Sequence, residues 1–201
     1  MALGTATAPH EPRFDAGRIC LDLLATTHPA ERLGSVAELS AWIAGSSLVP
    51  PGTSLAHADT SWPEAFRELR THIGRLIRAD LAPEVRAPLA LAASLTRVNT
   101  LAGAAAPPAP RAVRAEDGGL VRELGGPPEC AALLAALARD AVELLTDPVA
   151  RAGLRQCAGD NCPVVYLDTS RGRRRRWCSS EVCGNRERVA RHRRRMALSQ
   201  A

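Results

Sequence analysis

Lysine is missing altogether: all 26 basic residues of the 201-residue chain are arginines. A GC-rich genome produces that bias, so it selects no guanidinium chemistry by itself. Aromatic residues make up only 3% of the chain, which leaves a core built from Leu, Ala, Val and Ile. No stretch reaches the roughly 18 consecutive apolar residues of a spanning helix. Residues 1–12 lack the basic start and apolar run of a signal peptide. The expected location is therefore cytoplasmic, with no membrane partner, where structural disulfides are rare. His-Glu-x-x-His and His-x-Glu metal motifs are absent, and Asp22, His28, His57 and His72 share no spacing that would build a catalytic group. The chain is expected not to be an enzyme.

What is present is divided by charge. Residues 1–150 carry 13 Arg against 17 acids, whereas residues 151–201 carry 13 Arg against 4 acids. A near-neutral globular part joined to a polyanion-binding tail gives such an asymmetry. The 46% hydrophobic content, rich in Ala and Leu, predicts a mainly α protein. A helical domain is expected over residues 14–147 and a basic C-terminal unit over 148–198, starting where Asp147 can cap and Pro148 can open a helix.

Within the first unit a short helix is expected around Ile19–Leu24. Ser35 and Glu38 form a capping box for a second helix with Leu39, Trp42 and Ile43 on its apolar stripe. Phe66, Leu69, Ile73, Leu76 and Ile77 mark a third over 61–81. A fourth is expected from near Pro83 through Leu89, Leu95 and Val98 to Gly103. Residues 111–115 and 120–124 flank a turn and predict a β-hairpin, and a long helix follows over 129–146. Cys20 and Cys130 stand alone in apolar patterns and are expected to be buried small residues.

The other four cysteines fall in two pairs of equal spacing, Cys157 with Cys162 and Cys178 with Cys183. Four thiolates closed into a tetrahedron make a structural zinc site, so one Zn2+ is the expected cofactor. Free buried thiols, a redox pair and a catalytic zinc are the alternatives. Val164–Leu167 predict a first strand, 169–172 a turn and 173–177 a returning strand, followed by a helix over 185–198. That element order resembles a treble-clef finger.

Arginines crowd both sides of the second pair. Arg173, Arg174, Arg175 and Arg176 precede it; Arg186, Arg188, Arg191, Arg194 and Arg195 follow, with His192 among them. All are candidates for nucleic-acid contact, because guanidinium groups neutralise phosphates and can read guanine edges. A solvated charged face is the bland alternative. Val189 and Met196 are expected to pack the final helix onto the zinc core or the helical domain.

Residues 157–195 closely resemble the CGNR zinc finger, carried by Cys183-Gly184-Asn185-Arg186 and supported by Leu167-Asp168-Thr169-Ser170 and Arg176-Trp177-Cys178-Ser179. The segment Ile19–Thr26 resembles the opening of the ABATE domain, with Ala25 where an Asn is usual, and residues 33–43 fit its next helix. The resemblance implies zinc on Cys157, Cys162, Cys178 and Cys183. It also implies structural roles for Gly184 at a close approach or positive φ, Asn185 as a helix cap, Trp177 as a lid on the zinc core and Asp168 as the partner of an arginine such as Arg176. The expected function is a zinc-dependent DNA-binding transcription regulator acting on duplex DNA, whose helical domain senses a small-molecule effector or forms a homodimer. An RNA-binding accessory protein and a zinc-stabilised protein-interaction module are the alternatives.

Overall fold

The computed structural model describes residues 13–82 and 87–198. The protein is mainly α, with two small antiparallel β-ladders. In chain order the elements are α1 (Ile19–Ala25), α2 (Val36–Gly45), α3 (Ser61–Leu81), α4 (Pro88–Ala104), β1 (Pro110–Arg114), β2 (Leu120–Leu124), α5 (Cys130–Thr146), α6 (Pro148–Arg151), β3 (Leu154–Gln156), β4 (Val165–Leu167) and α7 (Asn185–Leu198). A π-helical turn, Ser180–Gly184, runs directly into α7.

Local chemistry sets several of these boundaries. The Ser35 hydroxyl accepts from the Glu38 N–H at 3.2 Å, closing the N-terminus of α2. Asp147 caps α6 by accepting from the N–H groups of Val149 and Ala150, with Pro148 in the first turn. The expected start of the fourth helix near Pro83 lies outside the described residues; the described helix begins at Pro88.

The core is aliphatic. Phe66, Leu69, Ile73 and Ile77 of α3 and Leu133, Leu137, Ala138 and Ala141 of α5 are all fully buried, in two helices that touch one another. Trp42 meets Phe66 edge-on with ring centroids 6.3 Å apart. Cys20 is fully buried but Cys130 only partly, and in α4 Leu89 and Leu95 are exposed while Ser94 and Val98 turn inward. The apolar residues of α4 therefore do not share one buried face.

The short helix α1 sits at the centre, and five of its seven residues are buried. One of them is charged: Asp22 accepts the Ala16 N–H at 3.0 Å and is 6% exposed. Burial raises its carboxyl to about 7, against the opposing effect of that hydrogen bond. The folded pKa lies above the unfolded one, so the neutral form stabilises the fold fully below about pH 4. That contribution is lost as pH rises through about 7. Asp22→Asn keeps the acceptor oxygen and removes the titration. Relative to this variant, the wild type should lose about 2 kcal/mol between pH 5.5 and 7.5 in urea unfolding. Parallel pH profiles for the two proteins would contradict the assignment.

Candidate metal centre and basic surface

The C-terminal unit begins with a three-rung ladder in which Leu154, Arg155 and Gln156 of β3 oppose Leu167, Tyr166 and Val165 of β4. This corrects the expected strand at 173–177. The structure puts Leu154–Gln156 beside β4 and leaves 173–177 irregular, for three reasons. Arg173 adopts a left-handed φ of 46°. The Arg175 N–H is taken by the Asp168 carboxylate at 3.0 Å. The Leu167 N–H is taken by the Ala16 carbonyl at 2.8 Å. Residues 15–17 thus tie the helical part to β4. Gly17, at φ +90°, lies so close that an added Cβ would be 3.2 Å from the Leu167 carbonyl oxygen.

The ladder delivers Cys157 at the end of β3, where its N–H bonds the Val164 carbonyl at 2.9 Å. Asn161, in the left-handed region at φ 57°, turns the chain back to present Cys162. The second pair arrives through 173–177, which the Ala158 N–H holds by donating to the Arg176 carbonyl at 2.8 Å. Ser179 then caps the π-helical turn by accepting from the N–H groups of Glu181 and Val182, and this turn carries Cys183. All four cysteines are buried, and their sulfurs lie within 4.8 Å of one another.

This donor set fits one zinc ion. Sulfurs about 2.3 Å from a tetrahedral zinc stand about 3.8 Å apart; Cys162 Sγ lies 3.8 Å from Cys178 Sγ, which lies 3.6 Å from Cys183 Sγ. The Cys178 and Gly159 N–H groups both donate to Cys157 Sγ, at 3.2 and 3.4 Å. Burial works against a Cys157 thiolate, yet those two donors hold its pKa below the ordinary thiol value. Burial and the neighbouring thiols push Cys183 up to about 11, and Cys178 higher still. Four thiolates this close repel one another unless a cation joins them, which is the electrostatic case for a divalent metal. Gly159 completes the cradle: a Cβ there would sit 3.4 Å from Cys183 Sγ and 3.5 Å from Cys157 Sγ. Sequence inspection passed over Gly159 because nothing marks a glycine between ligands except the space it leaves.

Comparison with known families agrees with this geometry. The ABATE family, described as "putative stress-induced transcription regulator", matches residues 17–148, more than half of the chain. The chain belongs to the ABATE family. The CGNR zinc finger matches residues 154–196, which include all four cysteines. No curated protein matches the chain.

In this ABATE protein the residues of the CGNR tetrapeptide have separate tasks. Gly184 is buried, does not have a positive φ, and approaches the Trp177 ring, which a Cβ would meet at 3.6 Å. Asn185 lies inside a continuous helical run with α-helical dihedrals. The cap falls to Ser179 because helical geometry already starts at Ser180. Arg186 is exposed at the start of α7. Trp177 is half-buried, with the Arg176 guanidinium 5.3 Å above its ring. Buried Asp168 accepts from the Ser170 hydroxyl and N–H and from the Arg175 N–H, which together hold its carboxyl below the ordinary range. Its partner is thus the Arg175 backbone, and Arg176 is not bonded to it.

Arg175 stands apart from the other arginines of the run. Its guanidinium stacks 4.5 Å from the centre of the Tyr166 ring. It donates to the Trp177 carbonyl at 2.9 Å, to the Cys178 carbonyl and to the Asp15 carbonyl at 3.0 Å. The Tyr166 hydroxyl in turn donates to the Arg175 carbonyl at 2.5 Å. One side chain therefore joins the second zinc knuckle, the β4 strand and the N-terminal part of the chain. Arg173, Arg174, Arg176, Arg188, Arg191, His192, Arg194 and Arg195 are exposed. Arg173 reaches the Val149 carbonyl at 3.3 Å, Arg188 the Ser180 carbonyl at 3.4 Å and Arg194 the Glu187 carboxylate at 3.5 Å. Val189 and Met196 are exposed too, 42% and 48%. The expectation that they pack α7 inward is corrected: the side chains from Arg191 to Met196 are all exposed.

Arg175→Lys keeps the charge but cannot bridge several carbonyls with a planar fork. This variant should lose on the order of 2 kcal/mol of stability and bind zinc more weakly in competition with a chelator. An unchanged melting temperature and an unchanged chelator midpoint would remove Arg175 from this role.

Proposed function

We propose that this ABATE protein is a transcription regulator that binds duplex DNA through α7 and the exposed arginines of 173–176, with a structural zinc holding both. The observation that carries the reading is the division among the arginines. Arg175 is built into the scaffold, whereas Arg191, Arg193 and Arg195 of α7 are exposed and mean hydropathy there is far on the polar side. A helix that is polar all round gains little from packing, so its arginines are kept for something outside the chain. Phosphates are the matching partner, and α7 has the bulk that the major groove admits.

The family description supports regulation, and the four-cysteine centre supports a structural metal over a catalytic one, since four protein ligands close the coordination sphere. When bound, the ion supplies a rigid crosslink and no chemistry. The chain's own residues then orient the surface: Cys178 and Cys183 fix the entry of the π-helical turn, Ser179 caps it, and the turn sets the direction of α7. Duplex DNA is favoured over single-stranded RNA because Tyr166 is buried and Trp177 is half-buried beneath Arg176. Neither ring offers the open stacking platform that RNA readers use.

Arg191→Ala combined with Arg195→Ala tests the reading. Each lost phosphate contact should lower the slope of log affinity against log salt by nearly one unit, so the double variant should bind a duplex more weakly at low salt and with a flatter slope. A slope identical to that of the parent protein would place the interface elsewhere.

A further inference from the structure

The chain leading into α1 and the end of α2 enclose an open cleft of about 460 Å3 on the helical part. Small-molecule sites fall in this size range. Phe14 and residues 17–19 line it together with Asp22 of α1 and residues 45–47. None of the four cysteines lines it, so it is not an extension of the metal centre.

Asp22 is the residue that calls for a ligand. It is 6% exposed, and the one side-chain hydrogen bond it has among the described residues is from the Ala16 N–H to Oδ1. Oδ2 has no such partner. A neutral amide would accept the same bond without the cost of burying a charge. The charged groups that act on Asp22 are the carboxylates of Asp15 and Asp140, and both oppose its ionisation. The guanidinium on the wall does not serve as its counter-ion: Arg18 forms salt bridges with Asp140 at 2.8 Å and Glu143 at 2.9 Å. Arg13 is likewise taken by Asp15.

Two further features suit a cation. The cleft takes in Gly45 and Ser46, at the negative end of the ten-residue helix α2. Phe14 supplies an aromatic ring, held beside Trp42 with centroids 6.0 Å apart. Gly45 leaves that ring its place, since an added Cβ would come within 2.9 Å of it. Aromatic rings attract cations and also pack apolar groups. A buried carboxyl without a counter-ion, a helix C-terminus and an aromatic wall together describe a small organic cation.

We propose that this cleft binds a small organic primary ammonium, its charged head paired with the Asp22 carboxylate and the C-terminal carbonyls of α2 and its apolar body against Phe14 and Ile19. The site is independent of the DNA-binding reading, because the ligand is recognised without nucleic acid. Its place still reaches the zinc unit: Asp22 holds the Ala16 N–H, and the Ala16 carbonyl holds the Leu167 N–H of β4.

The test is calorimetric titration of the zinc-loaded full chain with butylammonium, benzylammonium and phenethylammonium, with benzyl alcohol as the uncharged counterpart of benzylammonium. It is run at about pH 8, above the Asp22 pKa of about 7 and below that of the amines. At least one ammonium should bind saturably at one per chain, and benzyl alcohol about tenfold more weakly than benzylammonium, or weaker still. Asp22→Asn keeps the acceptor for the Ala16 N–H and should weaken ammonium binding about tenfold or more without loss of zinc. Ser47→Trp, at an exposed position on the cleft, should fill it and have the same effect, and it decides if Asp22→Asn unfolds. Absence of saturable binding by all three ammonium ions, equal binding of benzyl alcohol, or unchanged affinity in either folded variant would overturn the proposal.

Discussion

Four buried sulfurs within 4.8 Å of one another are the constraint on which the C-terminal part of this protein depends. Thiolates so placed repel, and their burial raises the cost. A single divalent cation turns that repulsion into a crosslink between two knuckles that are distant in sequence. From the crosslink follow the course of 173–177 beside the first knuckle, the start of the π-helical turn and the direction of α7. The apolar material here is small: one three-rung ladder and a few side chains such as Val165, Tyr166 and Leu167. That is too little to hold a basic helix in place without the metal and without the helical part against which β4 rests.

The arginine excess divides according to this constraint. A tetrathiolate zinc site has a formal charge of about −2, and nearby guanidinium groups offset it. Arg175 does more than offset charge, because its hydrogen bonds reach the Trp177, Cys178 and Asp15 carbonyls, binding the knuckle to the N-terminal part. The arginines farther along α7 share no such structural bridge among the described residues and are exposed, and the proposed contact with a polyanion rests on that. The same sequence run therefore holds both a scaffold residue and candidate ligand contacts.

Much of this was legible in the sequence, and the residues show why. The apolar spacing from Phe66 to Ile77 located α3 within its observed limits, because a long amphipathic helix has a strong period. Ser35 and Asp147 marked helix starts through their own hydrogen bonds. The cysteine spacing and the tetrapeptide at 183–186 pointed to the metal centre. What failed was pairing. Nothing in Leu154–Gln156 announces that it, and not 173–177, takes the edge of β4, because the choice rests on Asp168 capturing the Arg175 N–H and on Ala16 capturing the Leu167 N–H. Asn185 was similarly misjudged as a cap because the π-helical turn starts five residues earlier. Charge alone could not separate Arg175 from its neighbours, since that depends on which carbonyls the fold brings within reach.

In the proposed function, one zinc ion organises the surface that meets nucleic acid. The most direct measurement is the affinity of the full chain for a duplex before chelation, after chelation, and after zinc is restored, with metal content determined at each stage. One zinc per chain, loss of most duplex affinity when it is removed, and recovery when it is returned are the expected results. Equal duplex affinity for the metal-free and zinc-loaded protein would contradict it.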